Sequence, residues 1–272
     1  MPELPEVETI RLGLEGRVVN RLIRQVRLNR PQLLKNIAPD DFVSALKGNS
    51  FTGLSRRGKY LAFSLKNGGW LLIHLGMTGR LLMASGLPSS DADLIISFNL
   101  RPDLAYQDKR HLGRILLLRE REGDLGKTLG LGPEPFSRAF TAAYLEERLG
   151  RTGREIKTFL LDQKAIAGLG NIYACEVLFR AGIHPQARCR QLSKRNIVAL
   201  VKAVRSVLKE ALAKRGTSFS DYLDSDGRPG EYQKFLKVYG REGENCLRCL
   251  RQVRRLRQQA RSSYFCPRCQ RL

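Results

Sequence analysis

Two sets of residues in this chain have types and spacings that could do chemistry. The first is the N-terminal pair Pro2 and Glu3. A small residue at position 2 favours removal of Met1, and Pro2 would then present a secondary α-amine. Such an amine titrates roughly two to three units below a lysine side chain, so at neutral pH much more of it is neutral and nucleophilic. Glu3 could act as general acid and base when that amine attacks carbon and forms a Schiff base. The same residues also read as a helix start: Pro and Glu are favoured in a first turn, and Val7, Ile10 and Leu14 continue with helical spacing. Both readings can hold, because a helix start fixes an amine rigidly.

The second set is Cys246-x2-Cys249, sixteen residues, then Cys266-x2-Cys269. Each knuckle supplies two thiolates from one tight turn, and two knuckles close a tetrahedron around a single structural Zn2+ with no position left for water. Disulfides are the alternative, and a sequence without a basic segment followed by an apolar one argues against them. Cys175 and Cys189 stand apart and read as small, partly buried thiols in a reducing compartment.

These groups must be positioned by folded domains. With 272 residues and 42% hydrophobic content the chain can build two cores. Its 48 basic against 26 acidic side chains leave a net charge of +22, with an isoelectric point near 10.3. That excess makes a polyanion the expected partner. The charge is spread along the chain and not gathered on one amphipathic segment, which favours nucleic acid over anionic membrane. No apolar run approaches the roughly 20 residues that span a bilayer. The expectation is a cytoplasmic protein with no membrane partner.

The first half reads as mostly β. Residues 60–65 alternate, Asn67-Gly68-Gly69 is a hairpin signal, 70–75 is a second strand, and 94–98 and 115–118 extend the set behind an N-terminal helix. Leu129 to Pro135 breaks the pattern with Gly and Pro, and helices follow at about 137–149, 155–165, 171–180 and 193–214. Gly168-Leu169-Gly170-Asn171 lies between two of them. Asn171 can cap the next helix there, and free N–H groups at its start could hold a phosphate, with a plain interhelical turn as the alternative. Leu223 to Gly230 is polar and turn-rich and suits a mobile loop. From Arg241 onward there are nine arginines against two glutamates, five of them between the cysteine pairs. On a metal-pinned hairpin such a run is expected to grip phosphates, although a solvated face has the same composition.

Pro2-Glu3-Leu4-Pro5-Glu6-Val7-Glu8-Thr9, Arg57-Gly58-Lys59, His74-Leu75-Gly76-Met77-Thr78-Gly79, Gly168-Leu169-Gly170-Asn171-Ile172-Tyr173-Ala174, Val238-Tyr239-Gly240-Arg241 and the last four cysteines together resemble bacterial formamidopyrimidine-DNA glycosylases over the whole length. The resemblance implies an α+β protein of two domains: an N-terminal β-sandwich with flanking helices, and a C-terminal helix-two-turn-helix domain with a β-hairpin zinc finger. The corresponding limits are 1–130 for the sandwich and 131–220 for the helix-two-turn-helix part. A lesion-capping loop and connector take 221–240, and the four-cysteine finger takes 241–272. It implies a monomeric base-excision-repair enzyme of the bacterial cytoplasm and nucleoid, acting on double-stranded DNA with oxidised purines or abasic sites. Such an enzyme removes 8-oxoguanine and formamidopyrimidines through a Pro2 Schiff base, then cuts the strand by β,δ-elimination.

Carried over residue by residue, Pro2 becomes the nucleophile, Glu3 the proton donor and relay, and Lys59 and Arg261 the basic groups that contact phosphate and assist. Asn171 matches a phosphate-binding asparagine. His74, Arg151, Lys157 and Tyr239 are further DNA contacts, and the loop from Ser225 to Gly230 would close over an extruded base. Met77, Arg110 and Leu112 fall where the family fills the gap left by extrusion. Here the chain departs: the family commonly reads Asp-Pro-Arg-Arg-Phe, whereas this sequence has Asp108-Lys109-Arg110-His111-Leu112, an aliphatic wedge for an aromatic one. His111 and His184 read as packing residues. The competing readings are an endonuclease VIII-like glycosylase for oxidised pyrimidines and a non-catalytic zinc-containing nucleic-acid binder.

Overall fold

A computed structural model describes residues 2–84, 91–118, 123–219 and 221–272. Met1, whose removal the N-terminal reading requires, lies outside the described residues. The chain forms two compact units, 1–128 with 214–233 and 129–213 with 234–272.

The first unit begins with helix α1 (Leu4–Val18), whose Leu4, Val7, Ile10, Leu14 and Val18 are buried on one face. Two four-stranded antiparallel sheets follow. One has the order β1 (Ile23–Leu28), β6 (Leu94–Phe98), β7 (Asp103–Asp108), β5 (Gly79–Ala84). The other runs β2 (Phe51–Arg57), β3 (Tyr60–Leu65), β4 (Trp70–His74), β8 (Arg114–Leu118). A single core takes side chains from both sheets, from α1 and from α2 (Pro39–Leu46), so the sheets form a β-sandwich. Phe51 of one sheet meets Phe98 of the other edge-on at 6.1 Å. Strands β1, β2, β5 and β7 escape the sequence reading for a physical reason. β1 interleaves its two core residues with arginines and glutamine, and β7 is buried at five of its six positions, so neither shows a clean two-residue period. After a single turn, α3 (Leu125–Thr128), the chain leaves this unit and returns with 214–233, where Tyr222 enters the same core.

The second unit is helical, with α4 (Ala142–Gly150), α5 (Ile156–Leu160), α6 (Asn171–Ala181) and α7 (Lys194–Ala213). Two of these are shorter than expected. α4 starts only at Thr141, whose hydroxyl accepts the Tyr144 N–H. α5 stops at Leu160 because the Asp162 carboxylate caps the next turn at the Lys164 N–H, and Gln163 bonds Gly168 and Leu169 across the loop. A two-stranded hairpin, β9 (Arg254–Gln258) and β10 (Arg261–Phe265), completes the unit.

Candidate active site and nucleic-acid interface

The N-terminal chemistry sits on a capped helix end. Glu3 is 1% exposed and forms a reciprocal capping box with Glu6, its own N–H donating to Glu6 Oε2 at 2.8 Å. Pro2 is buried beside it. The other oxygen of Glu6 accepts the Thr217 N–H at 2.7 Å, so the returning segment is held by the carboxylate that locks Glu3. The sequence reading assigns no role to Glu6 or Thr217 and does not contain this linkage. The Glu3-x-x-Glu6 spacing carried a signal for the capping box alone.

Lys59, 6% exposed, occupies the two-residue turn between β2 and β3, where Arg57 and Tyr60 face each other. That turn is braced against α1: Arg56 donates to Glu8 at 2.9 Å and to the Gly58 carbonyl at 2.9 Å, while Arg11 holds the other oxygen of Glu8. Glu8 and Arg56 thus fix the turn of Lys59 to the helix that starts at Pro2 and Glu3. His74 ends β4 opposite Tyr60 and Arg114, its ring 4.9 Å from that of Tyr60. Burial first, then Lys59 and Arg114, push its imidazole down to about 4, and its Nδ1 accepts the Gly76 N–H. It is therefore neutral at pH 7 with Nε2 as donor, suited to a phosphate oxygen without adding charge.

Met77, Arg110 and Leu112 lie on two loops in mutual contact. Gly76 has φ +64°, and a Cβ there would fall 2.7 Å from the Leu112 carbonyl carbon and the Gly113 nitrogen, so only glycine lets the loops meet this closely. Thr78 Oγ1 accepts the Arg110 N–H at 3.1 Å. Met77 and Leu112 are 41% and 46% exposed, among several large apolar side chains that reach the surface. The loop around Ser225 is docked in this unit: Met83 donates to the Ser225 carbonyl, and Arg17 pairs with Asp226.

In the second unit three expected residues converge on one hairpin. Arg261 opens β10 opposite Gln258, across a turn whose Gln259 and Ala260 both have positive φ. Asn171, the first residue of α6, donates from Nδ2 to the Ser262 carbonyl at 3.1 Å, and its buried Oδ1 accepts no hydrogen bond among the described residues. Lys157, expected on the DNA surface, is instead 1% exposed: its ammonium donates to the Ser262 carbonyl at 2.8 Å and to Ser263 Oγ at 2.6 Å. It braces the turn beside Arg261 from behind. Arg151 is exposed, at the end of α4, and pairs with Glu147. The Tyr239 ring packs edge-on against Tyr264, and its N–H, with those of Lys237 and Val238, donates to Glu176. Burial pushes the Glu176 carboxyl up, opposed by these three backbone donors.

The four cysteine sulfurs of 246, 249, 266 and 269 lie within 4.8 Å of one another, two of the separations being 3.9 and 3.4 Å. Zinc–sulfur bonds of about 2.3 Å put tetrahedral sulfurs about 3.8 Å apart, so the set fits one structural zinc. Cys246 and Cys266 are buried with Phe179 and Val238, and Arg248 lies 4.3 Å over the Phe179 ring, which seats the finger on α6.

Three family models match in chain order: the formamidopyrimidine-DNA glycosylase N-terminal domain over residues 1–115, the formamidopyrimidine-DNA glycosylase H2TH domain over 131–222, and a zinc finger found in FPG and IleRS over 243–272. A formamidopyrimidine-DNA glycosylase of Desulfitobacterium hafniense is 42% identical over 273 residues, covering 99% of this chain and all of the relative. Among solved structures, a Lactococcus lactis FPG mutant in complex with a Fapy-dG containing DNA superposes with a TM-score of 0.92 at 34% identity, with both chains fully covered. MutM in complex with carbocyclic 8-oxo-G containing DNA gives 0.91 at 34% identity, again over both whole chains. A capped Pro2-Glu3 terminus, a helix-two-turn-helix unit and a four-thiolate finger, matched along essentially their full length, place this chain in the formamidopyrimidine-DNA glycosylase family.

Proposed function

We propose that this chain excises oxidised purines, 8-oxoguanine and formamidopyrimidines, from duplex DNA and then cleaves the strand, with the Pro2 nitrogen as nucleophile. The observation that carries this reading is the buried Pro2-Glu3 terminus, held by the reciprocal bonds between Glu3 and Glu6. With Met1 removed, the Pro2 lone pair adds to C1′, the glycosidic bond breaks, and the base leaves with a proton from Glu3. The Pro2 nitrogen loses its proton, and opening of the sugar ring at the C1′–O4′ bond, with O4′ taking up a proton, leaves an iminium joining Pro2 to the sugar. That cation accepts the electron pair released when the 2′ proton is lost, the 3′ phosphate departs, and a second elimination releases the 5′ phosphate. Water then hydrolyses the iminium, releasing the sugar fragment as an aldehyde and restoring the Pro2 amine. Lys59 and Arg261 neutralise and position phosphates, Asn171 hydrogen-bonds one, and His74, Arg151 and Tyr239 are further DNA contacts. Met77, Arg110 and Leu112 fill the gap left by the extruded nucleotide, where Arg110 has donors for an orphaned cytosine. The zinc, held by Cys246, Cys249, Cys266 and Cys269, supplies shape to the Arg261 hairpin and no open coordination position.

The bacterial cytoplasm and its nucleoid are the proposed site of action. Four zinc-binding thiolates need a reducing compartment, and among the described residues no helix is long and apolar enough to cross a membrane.

Borohydride added during turnover on an 8-oxoguanine duplex should join the protein covalently to the lesion strand, with the adduct mapping to residue 2. Protein that retains Met1 should give none. An adduct on Lys59, with full activity in the Met1-retaining protein, overturns the mechanism. Faster excision of thymine glycol than of 8-oxoguanine overturns the substrate class.

A further inference from the structure

We propose that Asp93 is the positioning residue of the Asp108–Gly113 loop, holding Arg110 and Leu112 in the geometry that reads the base opposite the lesion. This rests on the reading of Met77, Arg110 and Leu112 as inserted side chains. A loop that enters a base stack works against the cost of unstacking, and a slack loop would lose the register of its donors.

Part of the stiffness is internal. Asp108 Oδ1 accepts the Thr78 hydroxyl at 2.5 Å and the Arg110 N–H at 3.3 Å, and Oδ2 accepts the Gly113 N–H at 2.7 Å. Yet His111, between the two inserted residues, has φ +52°, a left-handed conformation that a non-glycine residue keeps only when its surroundings hold it. Within the loop the His111 N–H donates to the Asp108 carbonyl at 3.0 Å, and Asp93 adds a hold from outside, at Asp108 itself. Asp93 Oδ2 accepts the Asp108 N–H at 2.6 Å, while Oδ1 faces His111 Nδ1 at 3.7 Å and Arg30 Nε at 3.6 Å. The anchor itself is fixed by the sheet: the Asp93 N–H donates to the Tyr106 carbonyl, and its carbonyl accepts from Asn29 and Arg30. The carboxylate is 9% exposed, in a cleft also lined by Arg80, Asp91 and Lys109. One side chain therefore holds the loop's first residue by a hydrogen bond and faces its left-handed residue, from a position bonded into the sheet.

The test measures KM and kcat for 8-oxoguanine opposite C, A, G and T in the wild type and in Asp93→Ala, Asp93→Asn and Arg110→Ala. Borohydride trapping on a single strand with an abasic site, which offers no opposite base, is the reference for each variant. Asp93→Ala is expected to raise KM opposite cytosine roughly tenfold, the scale of one lost hydrogen bond to a charged group, and to flatten the opposite-base preference. Asp93→Asn keeps an oxygen for the Asp108 N–H and should restore the preference to within about twofold. If Arg110→Ala loses the preference and Asp93→Ala keeps it, the loop needs no such anchor and the proposal is overturned. An equal loss of kcat on every substrate, single strand included, or an Asn variant as defective as the Ala variant, makes Asp93 a general structural residue and also overturns it. If Arg110→Ala keeps the preference, the insertion reading fails and the anchor fails with it.

Discussion

Glu6 Oε1 accepts the backbone N–H of Thr217 at 2.7 Å, across 211 positions of sequence. Its second oxygen holds the Glu3 N–H, so one carboxylate joins the Pro2-Glu3 terminus to the segment that carries the Ser225 loop. Gly216 makes room for it: φ there is +78°, and a Cβ would fall 2.5 Å from Glu6 Oε1.

Glu6→Gln replaces one acceptor with a donor that faces a backbone N–H. It should destabilise the protein by about 1–3 kcal/mol, the scale of a buried unsatisfied polar group. Gly216→Ala adds the strain of a left-handed alanine to a clash with Glu6. Urea denaturation should show both losses, with Gly216→Ala the larger, and the rate of borohydride trapping should fall with them.

His74 supplies a pH dependence. Its folded value of about 4 lies below the ordinary histidine value of 6.5, so between these limits the unfolded chain binds more protons. Stability due to this group is fully present above pH 6.5 and is lost as pH falls toward 4, on the order of 2–3 kcal/mol. His74→Gln, which keeps an acceptor for the Gly76 N–H, should flatten that part of the profile. Chemical denaturation at pH 7 and pH 4.5 measures the difference.

Zinc should sustain binding and not the bond-breaking steps. Cys266→Ser is expected to lose stoichiometric metal, disorder the Arg261 hairpin and abolish damaged-duplex binding. Metal analysis with fluorescence anisotropy decides it, and a substituted protein that keeps both zinc and binding refutes the assignment.

Leu112 stands where the proposed wedge has an aliphatic in place of an aromatic side chain. Leu112→Phe should tighten binding to lesion duplexes by up to roughly 1 kcal/mol through recovered stacking. An unchanged dissociation constant in a competition assay refutes the stacking gain.

Features written within a few residues of themselves were legible in the sequence. The four cysteines announce a metal set because each knuckle is a local turn, and Pro2 and Glu3 announce a helix start because the preferences of a first turn act within that turn. The exposed arginines of the finger follow from composition. Strands β1, β2 and β5 were not read, because nothing local distinguishes arginines beside a core position from those of a loop, and β7 was not read because burial at five of its six positions leaves no two-residue period.

By itself the sequence determined the chemistry available: an amine beside a carboxylate, four thiolates at knuckle spacing, and a positive excess matched to a polyanion. Only the tertiary structure decided which backbone each carboxylate serves. It gave Thr217 to Glu6, Asp108 to Asp93 and the Lys237–Tyr239 turn to Glu176, and it buried Lys157 behind Ser262. The reason is physical. A buried charge or N–H must find its partner wherever the core closes, and that closure is set by the packing of both sheets and helices, not by the residues adjacent in the chain.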